Sequence, residues 1–436
     1  MRNNKDTIKA WAMFDWSNSA YNLVITSTIF PAYYTIITTT EQNGDKVMFF
    51  GTEFTNTALS NYALSAAYLI MALFLPLLSS IADFRGNKKV FMKVFTYIGS
   101  FACAGLFFFK LETLELGIIC FTLAAIGFIG GSMFNNSYLP EIASVDQQDK
   151  VSAKGFAYGY VGSVLLQIIC FVFVLKPELF GITDPSLPAR LSFLLVGIWW
   201  ISFSQIPFKK LPAGSPNYNK LSKIDVKSGF QELIKVWHQL KEMTILKRFL
   251  LGFFFYSMGV QTIMLVAAGC GEKVLKLGTA KLIAIILIIQ IVAILGALIM
   301  SYFAKKYGNI QVIIAVIVVW IGVCAGAYYI QNEGQFYAVA VVVGLVMGGI
   351  QSISRSTYSK FLPENTPDTA SFFSFYDVTE KMAIVIGLFS FAYIEEFTGS
   401  MRNSAISLAG FFIIGLLILV SIFFIKTESS TSLAKD

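Results

Sequence analysis

Only one histidine, His238, occurs in the 436 residues. A His-rich metal site is therefore impossible. The five cysteines, Cys103, Cys120, Cys170, Cys270 and Cys324, all lie in apolar runs and show no Cys-x-x-Cys spacing. They read as buried free thiols rather than a disulfide framework or zinc site. Charge is scarce: Asp, Glu, Lys and Arg make up 14%, against about 25% in a typical soluble domain. No Gly-x4-Gly-Lys-Ser/Thr phosphate loop is present, so ATP is not the expected energy source. The net charge of +7 does not mark a nucleic-acid surface, because the basic residues sit at the ends of apolar runs and not in one patch.

What the chain does have is apolar length. Eleven stretches run 16 or more residues without Asp, Glu, Lys or Arg. A twelfth, residues 371–394, is as apolar but holds Asp377, Glu380 and Lys381. About 20 apolar residues as a helix cross a hydrocarbon core about 30 Å thick. A β-barrel would alternate apolar and polar residues, whereas residues 282–304 are apolar on every side. Backbone groups in lipid must be satisfied within the segment, so the spans are helices. The expected fold is an all-α polytopic membrane protein with twelve transmembrane helices, near 10–38, 55–82, 90–109, 115–138, 154–175, 190–208, 248–270, 280–304, 308–331, 335–357, 371–394 and 403–426. The first run continues to about Thr40, too long for a cleavable signal.

Lys and Arg then divide 24 to 8 between the two sides, with Lys381 inside a span. The positive-inside rule places both termini in the cytoplasm. The chain also repeats itself. Ser79-Ser-Ile-Ala-Asp-Phe-Arg-Gly-Asn87 matches Ser301-Tyr-Phe-Ala-Lys-Lys-Tyr-Gly-Asn309 at its Ser, Ala, Gly and Asn, at an offset of 222. Leu139-Pro140-Glu141 matches Leu362-Pro363-Glu364 at an offset of 223. Chance similarity of short turns is the alternative. Two echoes at offsets one residue apart suggest an N-terminal six-helix bundle over 1–208 and a C-terminal one over 248–436. Parallel repeats of this kind build transporters with the substrate site between the halves. The linker, 209–247, carries an amphipathic helix with Val226, Phe230, Leu233, Trp237 and Leu240 at helical spacing. It is expected on the cytoplasmic interface with Trp237 as anchor, or else to be a solvated connector.

Several motifs resemble a known family. Ser79-x3-Asp83-x2-Gly86-x-Lys88-Lys89 resembles the loop signature of the major facilitator superfamily, with Ser79 and Asn87 in place of its first Gly and its Arg. Trp11-Ala-Met-Phe-Asp-Trp-Ser-Asn-Ser-Ala-Tyr21, Phe30-Pro-Ala-Tyr-Tyr34, Gly155-Phe-Ala-Tyr-Gly-Tyr160, Gly259-Val-Gln-Thr262 and Gly349-Ile-Gln-Ser-Ile-Ser-Arg-Ser356 together resemble the vacuole-effluxer-like branch, in its bacterial type. Eukaryotic relatives are associated with amino-acid efflux from the vacuole. The resemblance implies a twelve-helix fold with alternating access. It also implies that Asp83, Arg85, Gly86, Lys88 and Lys89 form a cytoplasmic gate; plain basic-loop topology is the alternative. Met258 stands where many relatives carry Asp, so a mechanism built on an acid there does not carry over.

Ionisable residues within spans are costly and default to function. In the eleventh span Ser374, Asp377, Glu380 and Lys381 share one face. Asp377 and Lys381 are i, i+4 in the favourable order, which leaves Glu380 as the unmatched acid. Glu380 is then expected to help couple transport to protons; a closed structural triad is the alternative. Asp15, Asn18, Ser19, Asn22 and Thr26 form a polar stripe on the first span. Asp15, Asn18 and Asn22, with Asn135, Gln261, Gln351 and Arg355, are the candidate pathway-lining residues. Gln290 is a weaker candidate, and superfamily precedent prefers Gln261 and Asn135 to it. Gly344 and Gly348 allow close helix approach, and Arg355 has the fork geometry for a carboxylate; a positive-inside anchor is its other reading.

The expected function is secondary active transport of a small polar metabolite, plausibly an amino acid. Alternatives are a transporter-like sensor without net flux, a transporter of sugars or lipids, or an intramembrane enzyme. The last lacks a metal motif or a nucleophile with a base, so no enzymatic role is expected. No cofactor and no nucleic-acid partner are expected. The partners are a small molecule, the bilayer and protons as coupling ion, for a monomer in the cell (inner/plasma) membrane.

Overall fold

Helix forms along the apolar runs in a computed structural model that describes residues 2–39, 44–214 and 226–432. It accounts for 86% of the structure, which rules out a barrel. In chain order the helices are α1 (Lys5–Ala20), α2 (Phe30–Thr38), α3 (Asn56–Arg85), α4 (Lys88–Gly105), α5 (Leu114–Asn136), the one-turn α6 (Leu139–Ile142), α7 (Gln148–Leu175), α8 (Leu187–Lys210), α9 (Val226–Glu242), α10 (Thr244–Leu275), α11 (Thr279–Tyr307), α12 (Asn309–Tyr329), α13 (Glu333–Lys360), α14 (Thr369–Thr398) and α15 (Met401–Ser432). Among the described residues, ten helices are long and apolar enough to cross a membrane. Two other helical stretches were also expected to span. One runs from Lys5 to Thr38 and the other is α14; both carry the polar residues singled out above. Rows of exposed Leu, Phe and Ile on α3 (Leu69, Leu73, Phe74) and α11 (Ile291, Leu295, Leu298) form apolar surface that no water-soluble monomer would present.

The first predicted helix is not uniform. Between α1 and α2, Tyr21–Ile29 is a π-helix. Pro31 has no N–H, so the usual donor to the Ser27 carbonyl is missing. The hydroxyls of Ser27 and Thr28 donate to carbonyls five residues back, Asn22 O at 2.9 Å and Leu23 O at 2.8 Å, and so support the wider turn. The Thr28 hydroxyl also lies 2.8 Å from Gln167 Oε1. A second departure from the helical reading is a hairpin, β1 (Lys46–Phe49) paired antiparallel with β2 (Thr52–Thr55). Phe50 and Gly51 make its turn at positive φ.

The chain divides into two compact units. One comprises Asn4–Tyr138 and Tyr158–Ile224; the other comprises Met1–Asn3, Leu139–Ala157 and Asp225–Asp436. Residues 215–225 of the expected linker lie outside the described residues. The first unit packs around aromatic rings, with Phe30 stacked on Phe121 at 4.0 Å and Trp200 buried beside Tyr21. The second has its own ring stack, Phe253 on Tyr376 at 4.3 Å and Trp320 on Phe412 at 5.6 Å. Both glycines of the internal echo follow a long helix at positive φ, which side chains disfavour, but only Gly86 (φ 63°, ψ 33°) is a left-handed cap; Gly308 (φ 95°, ψ 150°) is extended in ψ.

Candidate functional site

In the second unit, α14 presents its ionic residues to α10. Lys381 Nζ lies 2.6 Å from Glu380 Oε2 and 3.7 Å from Asp377 Oδ1. Gln261 Nε2 of α10 donates to Glu380 Oε1 at 2.9 Å. Both Glu380 oxygens are therefore engaged. Asp377 is buried, and its Oδ2 has no hydrogen-bond partner. The i, i+4 pair is present, but Lys381 meets both acids, as in the closed triad set out as the alternative; Glu380 is the nearer acid and Asp377 the less compensated one. One step away, the Tyr256 hydroxyl meets the Ser354 hydroxyl at 2.7 Å. Met258, buried in α10, adds no charge. A cavity of about 70 Å³ elsewhere in this unit is lined by apolar side chains such as Ile263, Val323, Phe336 and Leu408, and offers nothing to orient a polar solute.

The first unit gathers the polar residues of α1. Asn135 Nδ2 of α5 points at Asp15 Oδ1 from 3.4 Å, and its carbonyl accepts the Trp11 indole N–H at 2.7 Å. Asn18 Nδ2 donates to Ser132 Oγ at 2.6 Å. The buried oxygens Asn18 Oδ1 and Asn135 Oδ1 have no hydrogen-bond partner. Asn22 falls within the π-helical segment, where the 100° wheel that grouped it with Asp15 and Asn18 no longer applies. The loop-signature residues also find partners within this unit. Lys88 Nζ donates to the Ser137 carbonyl at 3.2 Å and lies 4.1 Å from the Tyr138 ring centroid. Lys89 Nζ donates to the Leu211 carbonyl at 2.7 Å. The Asp83 carbonyl accepts the Gly86 N–H at 3.0 Å, and Arg85 closes the last turn of α3.

A family model described as vacuole effluxer Atg22 like matches residues 3–432. The chain belongs to that family. The Atg22-like chain is 30% identical to an MFS-type transporter, YxiO, of Bacillus subtilis, over 98% of its own length and 96% of the relative's. It is 27% identical to autophagy-related protein 22 of Yarrowia lipolytica, over 62% of its own length and 50% of that protein. Its fold is that of solved major facilitator superfamily transporters. The human organic anion transporter MFSD10 superposes with a TM-score of 0.74 at 10% identity, covering 96% of this chain and 100% of that one. The Escherichia coli fucose:proton symporter FucP gives 0.71 at 10% identity, covering 95% and 98%. The Atg22-like chain is thus a multi-pass membrane transporter of this superfamily.

Arg355 is not open to solvent. Its Nε and Nη2 donate to Ser152 Oγ and O at 3.0 and 2.9 Å, and its guanidinium lies 4.2 Å from the Phe156 ring centroid. Gln351 Nε2 approaches the Met264 thioether at 3.5 Å, a weak acceptor. Beside Arg355 lies a network that sequence reasoning did not single out. Asp149 Oδ2 pairs with Lys360 Nζ, Asp149 Oδ1 accepts from Asn309 Nδ2 at 2.7 Å, and Asn309 Nδ2 also reaches Thr357 Oγ1 at 2.9 Å. Glu141 accepts from Thr369 Oγ1 at 3.0 Å. The one available signal was Asn309, placed after the helix-ending Gly308 in the repeat. Asp149 itself sits in a polar run that reads as solvated. Lys360→Met would leave the buried Asp149 carboxylate with amide donors only. The expected cost is about 2 kcal/mol, below that of a fully dry pair because the Lys360 side chain is 19% exposed. A melting curve and faster proteolysis within Leu139–Ala157 would report it; unchanged cleavage there would contradict it.

Proposed function

We propose that this Atg22-like chain is a secondary transporter of a small polar metabolite, amino acids first, working by alternating access of two six-helix halves. In this reading there are twelve spans, both termini face the cytoplasm, and the protein acts as a monomer in the cell membrane without enzymatic chemistry. Asp83, Arg85, Gly86, Lys88 and Lys89 serve its cytoplasmic gate. Asp15, Asn18, Asn22, Asn135, Gln261, Gln351 and Arg355 serve substrate handling, Arg355 through its grip on Ser152 in the state described.

The observation that carries the reading is the ionic trio Asp377, Glu380 and Lys381 with Gln261, Asp377 and Lys381 buried and Glu380 partly so. Two carboxylates share one ammonium inside an apolar bundle, an arrangement that costs stability and offers a place where a cation or proton completes the charge. Coupling to protons is read through this trio. Asn and Gln side chains around the path supply both donors and acceptors, as a zwitterion needs.

The test is purified protein in liposomes, assayed for counterflow of labelled amino acids and driven uptake under an imposed pH gradient. Wild type is expected to exchange at least one amino acid and to accumulate it when the gradient is imposed. Asp377→Asn and Glu380→Gln are expected to keep counterflow while losing most of the response to the gradient. Exchange of sugars alone would remove the amino-acid assignment. An unaltered gradient response in both variants would remove the proton role of the trio.

A further inference from the structure

The linker helix α9 has two apolar edges, and one of them stays largely exposed. Gly229, Val236 and Leu240 face inward and are buried. Turned by roughly a quarter of the helix at 100° per residue, Phe230, Ile234 and Trp237 remain 53%, 49% and 42% exposed. Lys241 Nζ lies 5.1 Å from the Trp237 ring centroid, on the same sector. The segment from Val226 to Arg248 carries five Lys or Arg against two Glu.

Two attachments fix where this edge lies. α9 ends at Glu242 and the apolar span in α10 begins at Thr244, so α9 sits at the level where α10 enters the hydrocarbon. Asp368 immediately precedes α14 and accepts from Lys235 Nζ at 3.0 Å; Lys235 also meets Glu232 at 2.6 Å. Trp237 rests against Phe375 of α14 at 5.6 Å. Glu232 first, with Asp368 beside it, raises the Lys235 ammonium above its ordinary value against the burial that opposes it, so the lysine of this clamp stays charged at neutral pH.

We propose that α9 is a lipid-reading strap: Phe230, Ile234 and Trp237 seat among the acyl chains of the adjoining leaflet while Lys241 and Lys247 engage anionic phospholipid headgroups. The occupant is lipid because α9 is separated only by Met243 from the apolar span that starts at Thr244, where Leu251 is 50% exposed. A basic, amphipathic helix at that depth binds anionic surfaces. Its consequence rests on the transport reading above. The Lys235–Asp368 and Trp237–Phe375 attachments tie the strap to α14, the helix that carries Asp377, Glu380 and Lys381, so anionic lipid favours one position of that helix.

The experiment is hydrogen exchange on the full chain in nanodiscs of phosphatidylcholine, with and without phosphatidylglycerol. Amides of Val226–Glu242 are expected to slow by at least about fivefold with phosphatidylglycerol, the weight of one lysine at an anionic surface. Phe230→Ser combined with Ile234→Ser is expected to abolish that slowing while leaving the melting temperature in place, since neither side chain supports the bundle. Leu240→Ser, on the buried edge, is expected to lower it. Equal exchange in both lipids overturns the proposal. So does protection that appears without phosphatidylglycerol when two copies share a disc, which would put a second copy on the edge. Counterflow in the same preparations separates the two readings: exchange of substrate with no lipid response ends this proposal alone. A lipid response with no exchange of any substrate ends the transport reading alone.

Discussion

Gly348→Val is expected to prevent α13 from seating on α11 and to abolish recovery of folded protein. A β-carbon built at Gly348 would lie 2.0 Å from the Ala293 carbonyl oxygen, and one at Gly296 would lie 2.0 Å from the Leu345 carbonyl oxygen. At Gly344 the Ile289 carbonyl stands at 2.7 Å. These obstacles are backbone, which no rotamer change relieves. In lipid, where helices gain little from leaving solvent, such close backbone approach is a main source of association. Overpacking here is expected to cost about 3 kcal/mol or more. The control is Gly322→Ala in α12, where an added β-carbon meets nothing within 4 Å. It should be neutral or stabilise by about 0.5–1 kcal/mol, the usual helix-interior gain over glycine. Thermal unfolding followed by size-exclusion chromatography in detergent compares the two. Equal melting temperatures would show that α11 and α13 do not touch as described. Because α13 also carries Gln351 and Arg355, the same substitution displaces them.

That glycine pair was legible in the sequence, as were the apolar runs, the repeat that resurfaces as the Gly86 and Gly308 turns, and the helix from Val226 to Glu242. Each is a local signal: length, period or a residue with one conformational use. What escaped depends on groups brought from elsewhere. The π-helical turn at Tyr21–Ile29 keeps the same apolar content as an α-helix, so periodicity does not distinguish them; Pro31 and the two hydroxyls decide it. Asp149 looks solvated along the chain, and only Lys360 and Asn309, more than 150 residues away, make its burial affordable. The partners of Glu380 on α14 escaped for the same reason. The i, i+4 rule selects Asp377 for Lys381, but Gln261 of α10 fixes the Glu380 carboxylate where Lys381 meets it.

Lys381→Met is expected to be the most damaging single change in the ionic trio. It leaves two carboxylates in an apolar setting with one amide donor between them, at a cost of about 2–3 kcal/mol, below that of a fully dry pair because the Glu380 side chain is 21% exposed. Asp377→Asn should behave differently. Asp377 lies 3.7 Å from the ammonium and one of its oxygens has no partner, so removing its charge forfeits little and can raise the melting temperature. Glu380→Gln forfeits the 2.6 Å ion pair, although an amide oxygen can still accept from Gln261. The decisive quantity is therefore the coupling in two double-mutant cycles. Lys381 with Glu380 should couple by about 1–3 kcal/mol, and Lys381 with Asp377 by about 0.5 kcal/mol. In structural terms, Lys381→Met is rescued by Glu380→Gln far better than by Asp377→Asn. Melting curves in detergent measure the cycles without reference to substrate, and counterflow in liposomes measures whether the rescued pair still moves solute. A larger coupling to Asp377 would mean that Lys381 sits on the i, i+4 partner after all. Glu380, held only by Gln261, would then be the less compensated acid, as helical spacing alone suggests.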